Sequence, residues 1–222
     1  MRPWHSLLLT LAILASTVPA HASLKAAPQR YLALGDSYTI GEGVAEHERW
    51  PEQWRRALHA HGIEVAPLRI IAHTGWTTDE LAAAMDAADP LGHWDRVSLL
   101  IGVNNQYRGR DIENYRQEFS ALLERAIALA GGHPRQVWVL SIPDWGVTTF
   151  AHRGGHDPVR IAREIDAFNA VNREVSKAHG VHWVDITDLT RRHGPNDRML
   201  ADDGLHPSAA MYSLWVERIM AR

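Results

Sequence analysis

Two short segments near opposite ends of the chain carry the groups needed to attack an ester carbonyl. A Gly-Asp-Ser sequence ends at Ser37, and an Asp-Gly-Leu-His sequence runs from Asp203 to His206. A serine becomes a nucleophile when a histidine accepts its proton, and a carboxylate that binds the other ring N–H fixes the tautomer. The residue types therefore predict Ser37 as nucleophile, His206 as base and Asp203 as the group that orients the imidazole.

Two residues between these segments are predicted to stabilise the oxyanion that such an attack creates. Gly75 and Asn104 each follow the end of a predicted strand. Because Gly75 has no side chain, a substrate can approach its backbone N–H closely. The side-chain amide of Asn104 offers a second donor for the same oxygen.

Each of these residues also has an ordinary structural interpretation. Ser37 is a common type of helix N-cap, and Gly75 suits a plain turn. Asn104 is typical of an Asx-turn at a strand end, and His206 stands where a helix begins. Asp202 is an alternative carboxylate, one residue further from the histidine.

Five short apolar runs predict buried strands. They are mostly continuous rather than alternating, as expected for parallel strands covered on both faces. Helical patterns separate them, one of which opens with a capping box of Thr77 and Glu80. The predicted strands are Tyr31–Leu34, Leu68–Ala72, Val97–Val103, Val137–Ile142 and Val181–Ile186.

This alternation predicts an α/β fold, a three-layer α/β/α sandwich around a five-stranded parallel sheet. Reactive groups in such sheets lie beyond the carboxyl ends of the strands. Ser37 follows the first predicted strand and Gly75 follows the second. Asn104 follows the third, and the loop that holds His206 follows the fifth. We therefore expect all four to converge at one edge of the sheet.

Composition excludes several other classes of function. The chain has 222 residues, a formal net charge of -3 and no cysteine. This charge is not that of a nucleic-acid-binding protein. The absence of cysteine excludes a thiol nucleophile, cysteine-ligated zinc and a lipid-anchored cysteine. We expect no metal or organic cofactor, and a small-molecule or lipid ester as the partner; the oligomeric state is left open.

Residues 1–22 are predicted to form a signal peptide. A short cationic start precedes an apolar run from Leu7 to Val18, and Ala20-His21-Ala22 fits the pattern before a cleavage point. The run is short for a bilayer span, which needs roughly 20 residues; an uncleaved anchor is the alternative. We expect residues 23–222 to form a single domain in a secreted or periplasmic protein.

Taken in order, these motifs resemble those of the GDSL-type SGNH hydrolases. The matching blocks are residues 35–38 (Gly-Asp-Ser-Tyr), Gly75, residues 102–105 (Gly-Val-Asn-Asn) and residues 203–206 (Asp-Gly-Leu-His), which together span nearly all of the predicted mature chain. The resemblance implies a flavodoxin-like sandwich and a serine esterase or lipase activity.

The same resemblance implies a role for each site residue. Ser37, His206 and Asp203 would form the triad. The backbone N–H groups of Ser37 and Gly75 and the amide of Asn104 would form the oxyanion hole.

Two details refine the resemblance. Many members of the family have aspartate where this chain has Asn105, which affects local hydrogen bonding rather than the oxyanion donor. The Arg-Gly pair at Arg108 resembles the bacterial thioesterase/lysophospholipase subgroup.

The substrate stays open at the level of the sequence. A short-chain esterase, a lysophospholipase or thioesterase, a carbohydrate O-deacetylase and an acyltransferase all suit the same residues. A catalytically silent module that binds a cell-envelope ligand is the non-enzymatic alternative. Trp76 and Trp145 follow strand ends and are candidates for lining an acyl or alcohol pocket.

Overall fold

The computed structural model describes residues 27–222 of the chain. The predicted signal peptide lies outside this range, so its existence and cleavage stay predictions. Within the described range, no helix has both the length and the apolar character needed to cross a membrane.

A five-stranded parallel sheet forms the centre of the protein, as predicted. Its strand order is β2-β1-β3-β4-β5, and every neighbouring pair is parallel. The sheet extends from β1 in both directions, first to β2 on one side and then to β3, β4 and β5 on the other, which is the arrangement of doubly wound sheets. The strands are β1 Gln29–Gly35, β2 Val65–Ala72, β3 Arg96–Leu100, β4 Val137–Leu140 and β5 His182–Val184.

The predicted end of the third strand was wrong. The strand stops at Leu100, and Val103 already belongs to a short helix that begins after Gly102. The apolar run continues past the end of the strand because Ile101 and Val103 are buried as well. Asn104 is consequently a helical residue rather than a loop residue.

Helices connect the strands and pack in two groups. Helix α2 packs against α9, while α5 packs against both α3 and α7. The helices are α1 Ser37–Ile40, α2 Trp50–Ala60, α3 Thr78–Ala87, α4 Val103–Tyr107, α5 Ile112–Leu129, α6 Thr149–Arg153, α7 Pro158–His179, α8 Thr187–His193 and α9 Ala209–Met220.

The central strands are buried on both faces. Residues 31–34 of β1 have no exposed surface, although successive side chains of a strand point to opposite faces. All of β3 is buried as well. Continuous apolar runs in the sequence therefore correspond to strands covered by helices on both sides.

The order of the strands determines where a site can form. The chain leaves β1 in one direction toward β2 and then passes to β3 on the other side. The carboxyl ends of β1 and β3 flank this switch point, where open α/β sheets bind ligands. Ser37 follows β1 and Asn104 follows β3, which places both at the switch point.

Candidate active site

Ser37 is held at the first position of helix α1, with its hydroxyl free of a capping role. The N-cap is Asp36, whose carboxylate accepts the Tyr38 N–H at 3.1 Å. Only glycine fits at position 35, at the end of β1, because a Cβ there would lie 2.3 Å from Thr39 Oγ1. The N-cap interpretation of Ser37 is therefore wrong, and its side chain is available for another partner.

That partner is the His206 ring. Nε2 of His206 lies 2.9 Å from Oγ of Ser37, and Nδ1 lies 2.6 Å from Oδ2 of Asp203. The carboxylate accepts the Nδ1 proton, which leaves Nε2 to accept the serine hydroxyl proton. Ser37 and His206 are both buried, with 5% and 7% of their surface exposed.

The carboxylate of this array belongs to Asp203. Its Oδ1 accepts the backbone N–H groups of Leu205 at 2.8 Å and of His206 at 2.9 Å, which fixes the turn. Among the described carboxylates, only Asp203 hydrogen-bonds the His206 ring. Asp202 makes no hydrogen bond to the ring and is not part of the array. Helix α9 begins only at Ala209, with Ser208 as its N-cap, so His206 is not a helix-start residue.

The first residues of helix α6 support this turn from outside. The carbonyl oxygen of Gly204 accepts the Phe150 N–H at 2.9 Å and the Thr149 hydroxyl at 3.1 Å. Gly204 has a φ of +70°, and a Cβ there would lie 2.4 Å from Thr149 Oγ1. The start of α6 thus fixes the peptide between the acid and the base.

The proposed oxyanion donors lie beside the serine. Gly75 has a φ of +87° and lines the same cavity as Ser37 and Asn104. Among the described residues, no acceptor binds the backbone N–H of Ser37 or of Gly75. One amide proton of Asn104 is donated to the Trp76 carbonyl at 2.9 Å. Its other proton has no acceptor among residues 27–222.

Asn105 links helix α4 to helix α3. Many GDSL-type SGNH hydrolases have aspartate at this position. Oδ1 of Asn105 accepts the Thr78 N–H at 3.1 Å, and its Nδ2 donates to Thr78 Oγ1 at 2.7 Å. The Thr78 hydroxyl in turn donates to Glu118. An amide serves here because it can donate to the threonine oxygen, whereas an ionised aspartate only accepts.

The carboxylates of Asp203 and Asp36 have pKa values shifted in opposite directions. Burial raises the pKa of Asp203, but the hydrogen bonds from the His206 ring and from two backbone N–H groups outweigh it, and the pKa lies below its ordinary value. Burial raises the pKa of Asp36 to about 7, and the bond from Tyr38 N–H offsets this only in part. Asp203 is therefore the carboxylate that stays ionised beside the imidazole.

A cavity of about 210 Å³ opens above the serine. Trp145, one of the two candidate pocket tryptophans, lines it, while Trp76 does not and stacks on His73 instead. The apolar part of the wall also contains four other residues. These are Val103, Tyr107, Phe150 and Leu205.

Trp145 is held in the wall by a polar relay. Its indole N–H donates to Gln106 Oε1 at 2.8 Å, and Gln106 Nε2 donates to Glu164 at 2.7 Å.

Within residues 27–222, no group of three or more histidine and carboxylate side chains is arranged to hold a metal ion.

A family model and several solved structures match this chain. A model of the GDSL-like lipase/acylhydrolase family matches residues 33–214. The fold is similar to that of TesA, with 20% identity and a TM-score of 0.69 over 87% of this chain and 97% of the other.

Two further solved structures have folds that are similar to this one to about the same degree. A phospholipase A1 from Streptomyces albidoflavus has 21% identity and a TM-score of 0.66, over 88% of this chain and 99% of the other. A lipase/acylhydrolase from Enterococcus faecalis has 20% identity and a TM-score of 0.68, over 87% and 94%. These likenesses show the fold. No match was found among curated protein sequences.

Proposed function

Since the chain belongs to the GDSL-like lipase/acylhydrolase family, we propose that it cleaves carboxylic esters by a Ser-His-Asp mechanism through an acyl-enzyme. The observation that carries this proposal is the unbroken line of hydrogen bonds from Asp203 through His206 to Ser37, with steps of 2.6 and 2.9 Å. Both distances are within the range in which a positioned base takes a proton from a nucleophile.

The first half of the reaction forms the acyl-enzyme. Oγ of Ser37 bonds to the carbonyl carbon while its proton passes to Nε2 of His206. The imidazolium, stabilised by ionised Asp203, then gives that proton to the departing alcohol oxygen as the C–O bond breaks. In the second half, His206 takes a proton from water, the hydroxide attacks the acyl carbon, and Ser37 leaves with its proton restored.

The negative charge that forms on the carbonyl oxygen requires donors that are already in place. We assign this role to the backbone N–H groups of Ser37 and Gly75 and to the free amide proton of Asn104. Their support is that all three residues line the cavity above the serine and that the two N–H groups have no acceptor within the described range.

The wall of the cavity favours an apolar acyl group. Tyr107, Trp145 and Phe150 contribute aromatic surface to the wall, and Leu205 and Val103 contribute aliphatic surface. A pocket of this composition gains free energy by removing hydrocarbon from water. We therefore favour an esterase or lipase acting on alkyl acyl esters over an enzyme that removes acetyl groups from carbohydrate.

A labelling experiment tests the nucleophile. The wild type should react with a fluorophosphonate probe and hydrolyse p-nitrophenyl esters, and Ser37→Ala should abolish labelling and lower kcat by roughly 10⁴-fold or more. Ser120→Ala is the matched control, since Ser120 lies half-buried on helix α5 away from the cavity. Labelling that persists in Ser37→Ala would contradict the assignment.

A chain-length series tests the substrate class. We expect kcat/KM to rise from the acetyl to a longer alkyl ester, because added methylenes bury apolar surface in the cavity. Release of acetate from an acetylated glycan should be slow in comparison. The reverse order would favour a deacetylase, and ester formed from added glycerol would reveal acyl transfer.

Export is a separate part of the proposal. It rests on the cationic and apolar composition of residues 1–22, which lie outside the described range. Mass analysis of protein from a bacterial host should show a mature chain that begins near residue 23 in the periplasm or medium. Retention of the full-length chain in the cytoplasm would contradict it.

A further inference from the structure

The segment that carries Gly75 is tied to helix α4 by several bonds. Asn104 binds the Trp76 carbonyl, and Asn105 binds Thr78 through both of its amide atoms. The residue that reaches Gly75 itself is Arg108, directly after α4. Its Nη2 donates to the Gly75 carbonyl at 2.6 Å.

Arg108 is itself held in position. Its Nη1 lies 3.3 Å from both carboxylate oxygens of Glu80. Glu80 is fixed by the Thr77 N–H at 2.8 Å and the Thr77 hydroxyl at 2.9 Å, at the first turn of helix α3. The guanidinium fork thus joins a fixed carboxylate to the Gly75 carbonyl, a geometry that lysine cannot reproduce.

Gly75 needs such a contact more than another residue would. It has no side chain to anchor it, and glycine rotates about its backbone bonds more freely than any other residue. Its N–H and its carbonyl flank the same Cα, so holding the carbonyl limits the orientations that the N–H can take. A donor that is already oriented needs no reorganisation when charge develops.

We propose that Arg108 is a positioning residue that orients the Gly75 N–H toward the oxyanion. The proposal rests on the proposed esterase function of the same site. Arg108 is not among the residues that line the cavity above Ser37, so it acts through Gly75 rather than through the substrate. Its exposed position, with 42% of the side chain accessible, also makes it replaceable without opening the core.

Arg110 offers a matched control. It pairs with Asp79 on the same turn of α3, at 2.6 Å, and is also partly exposed. It makes no hydrogen bond to Gly75. Arg108→Gln and Arg110→Gln therefore each remove one arginine–carboxylate pair from this segment, but only the first releases the Gly75 carbonyl.

The test compares kcat, KM and the binding of two inhibitors, with p-nitrophenyl butyrate as substrate. Arg108→Gln should lower kcat about tenfold to a hundredfold, less than the loss of a donor itself, with KM within about twofold. Affinity for a trifluoromethyl ketone, which forms an oxyanion, should fall by a similar factor. Affinity for butyrate should stay the same. Arg110→Gln should keep kcat within about twofold.

Other outcomes would overturn the proposal. An unchanged kcat, a rise in KM alone, or equal losses in both glutamine variants would each show that Arg108 does not act through Gly75. If Arg108→Gln fails to fold, Arg108→Lys replaces it and should give an intermediate kcat, since the charge remains but the fork is lost. Labelling and turnover by the wild type test the proposed function independently of these variants.

Discussion

The two halves of the site are built in different ways. The acid and base lie on one turn, where Asp203 binds the backbone of Leu205 and His206 and the ring of His206. The oxyanion half draws on separate segments, since the contact of Arg108 with Gly75 spans 33 positions and that of Asn104 with Trp76 spans 28. One half is organised by local spacing, and the other depends on how two helices pack.

This difference has consequences for the effect of substitutions. A change to the Asp203 side chain should leave the rest of the protein intact, because all of its hydrogen bonds close within four residues. A change on the oxyanion side should alter the reaction and the docking of α4 on α3 together. Substitutions on the two sides measure that contrast.

The largest effect is expected from Asp203→Asn. Asparagine keeps an oxygen for the two backbone N–H groups, so the turn should persist. It cannot stabilise the imidazolium, and its amide favours the tautomer with a proton on Nε2. We expect kcat to fall by about 10⁴-fold with little change in melting temperature. Asp202→Asn is the control and should stay within about twofold.

Loss of activity in Asp202→Asn with an active Asp203→Asn would reassign the carboxylate. A large fall in the melting temperature of Asp203→Asn would show that the turn depends on the charge as well as on the hydrogen bonds. Thermal unfolding followed by circular dichroism separates the two cases.

A smaller effect is expected from Asn104→Ala. Removing the side-chain amide should lower kcat by about 10²–10³-fold, because one oxyanion donor is lost. It also releases the Trp76 carbonyl, so the melting temperature should fall more than in Asp203→Asn. Steady-state kinetics and thermal unfolding test the pair of effects. A change in KM alone would indicate that Asn104 binds substrate without stabilising the oxyanion.

The last prediction concerns stability rather than kcat, and it involves Asp36, which precedes Ser37 and belongs to neither half. Burial raises its pKa to about 7, whereas an unfolded aspartate titrates near 3.9. The folded protein therefore binds a proton that the unfolded chain releases, and this group lowers the free energy of unfolding as pH rises from about 4 to about 7. The change is of the order of a few kcal/mol, at about 1.4 kcal/mol for each pKa unit.

Asp36→Asn should remove this dependence while keeping the oxygen that accepts the Tyr38 N–H. Urea unfolding at several pH values should show the variant gaining stability relative to the wild type between pH 4 and 7, with a constant difference above that range. A difference that does not vary with pH would contradict the raised pKa.

Sequence patterns predicted much of this arrangement. The five continuous apolar runs correspond to the five strands, and the alternation with helices places Ser37, Gly75 and Asn104 at one edge of the sheet. The Asp-x-x-His spacing also predicted the hydrogen bond between Asp203 and the His206 ring. These features were predictable because they depend on periodicity or on bonds between residues a few positions apart.

Tertiary structure decided the rest. It selected Asp203 over Asp202, freed Ser37 from capping by assigning that task to Asp36, and brought the Ser37 hydroxyl to a ring 169 positions away. It also brought Arg108 to the Gly75 carbonyl. Local spacing carries no information on such contacts, because they form only when helices and loops pack around a completed sheet. The sequence determined the chemistry available, and packing determined which groups meet.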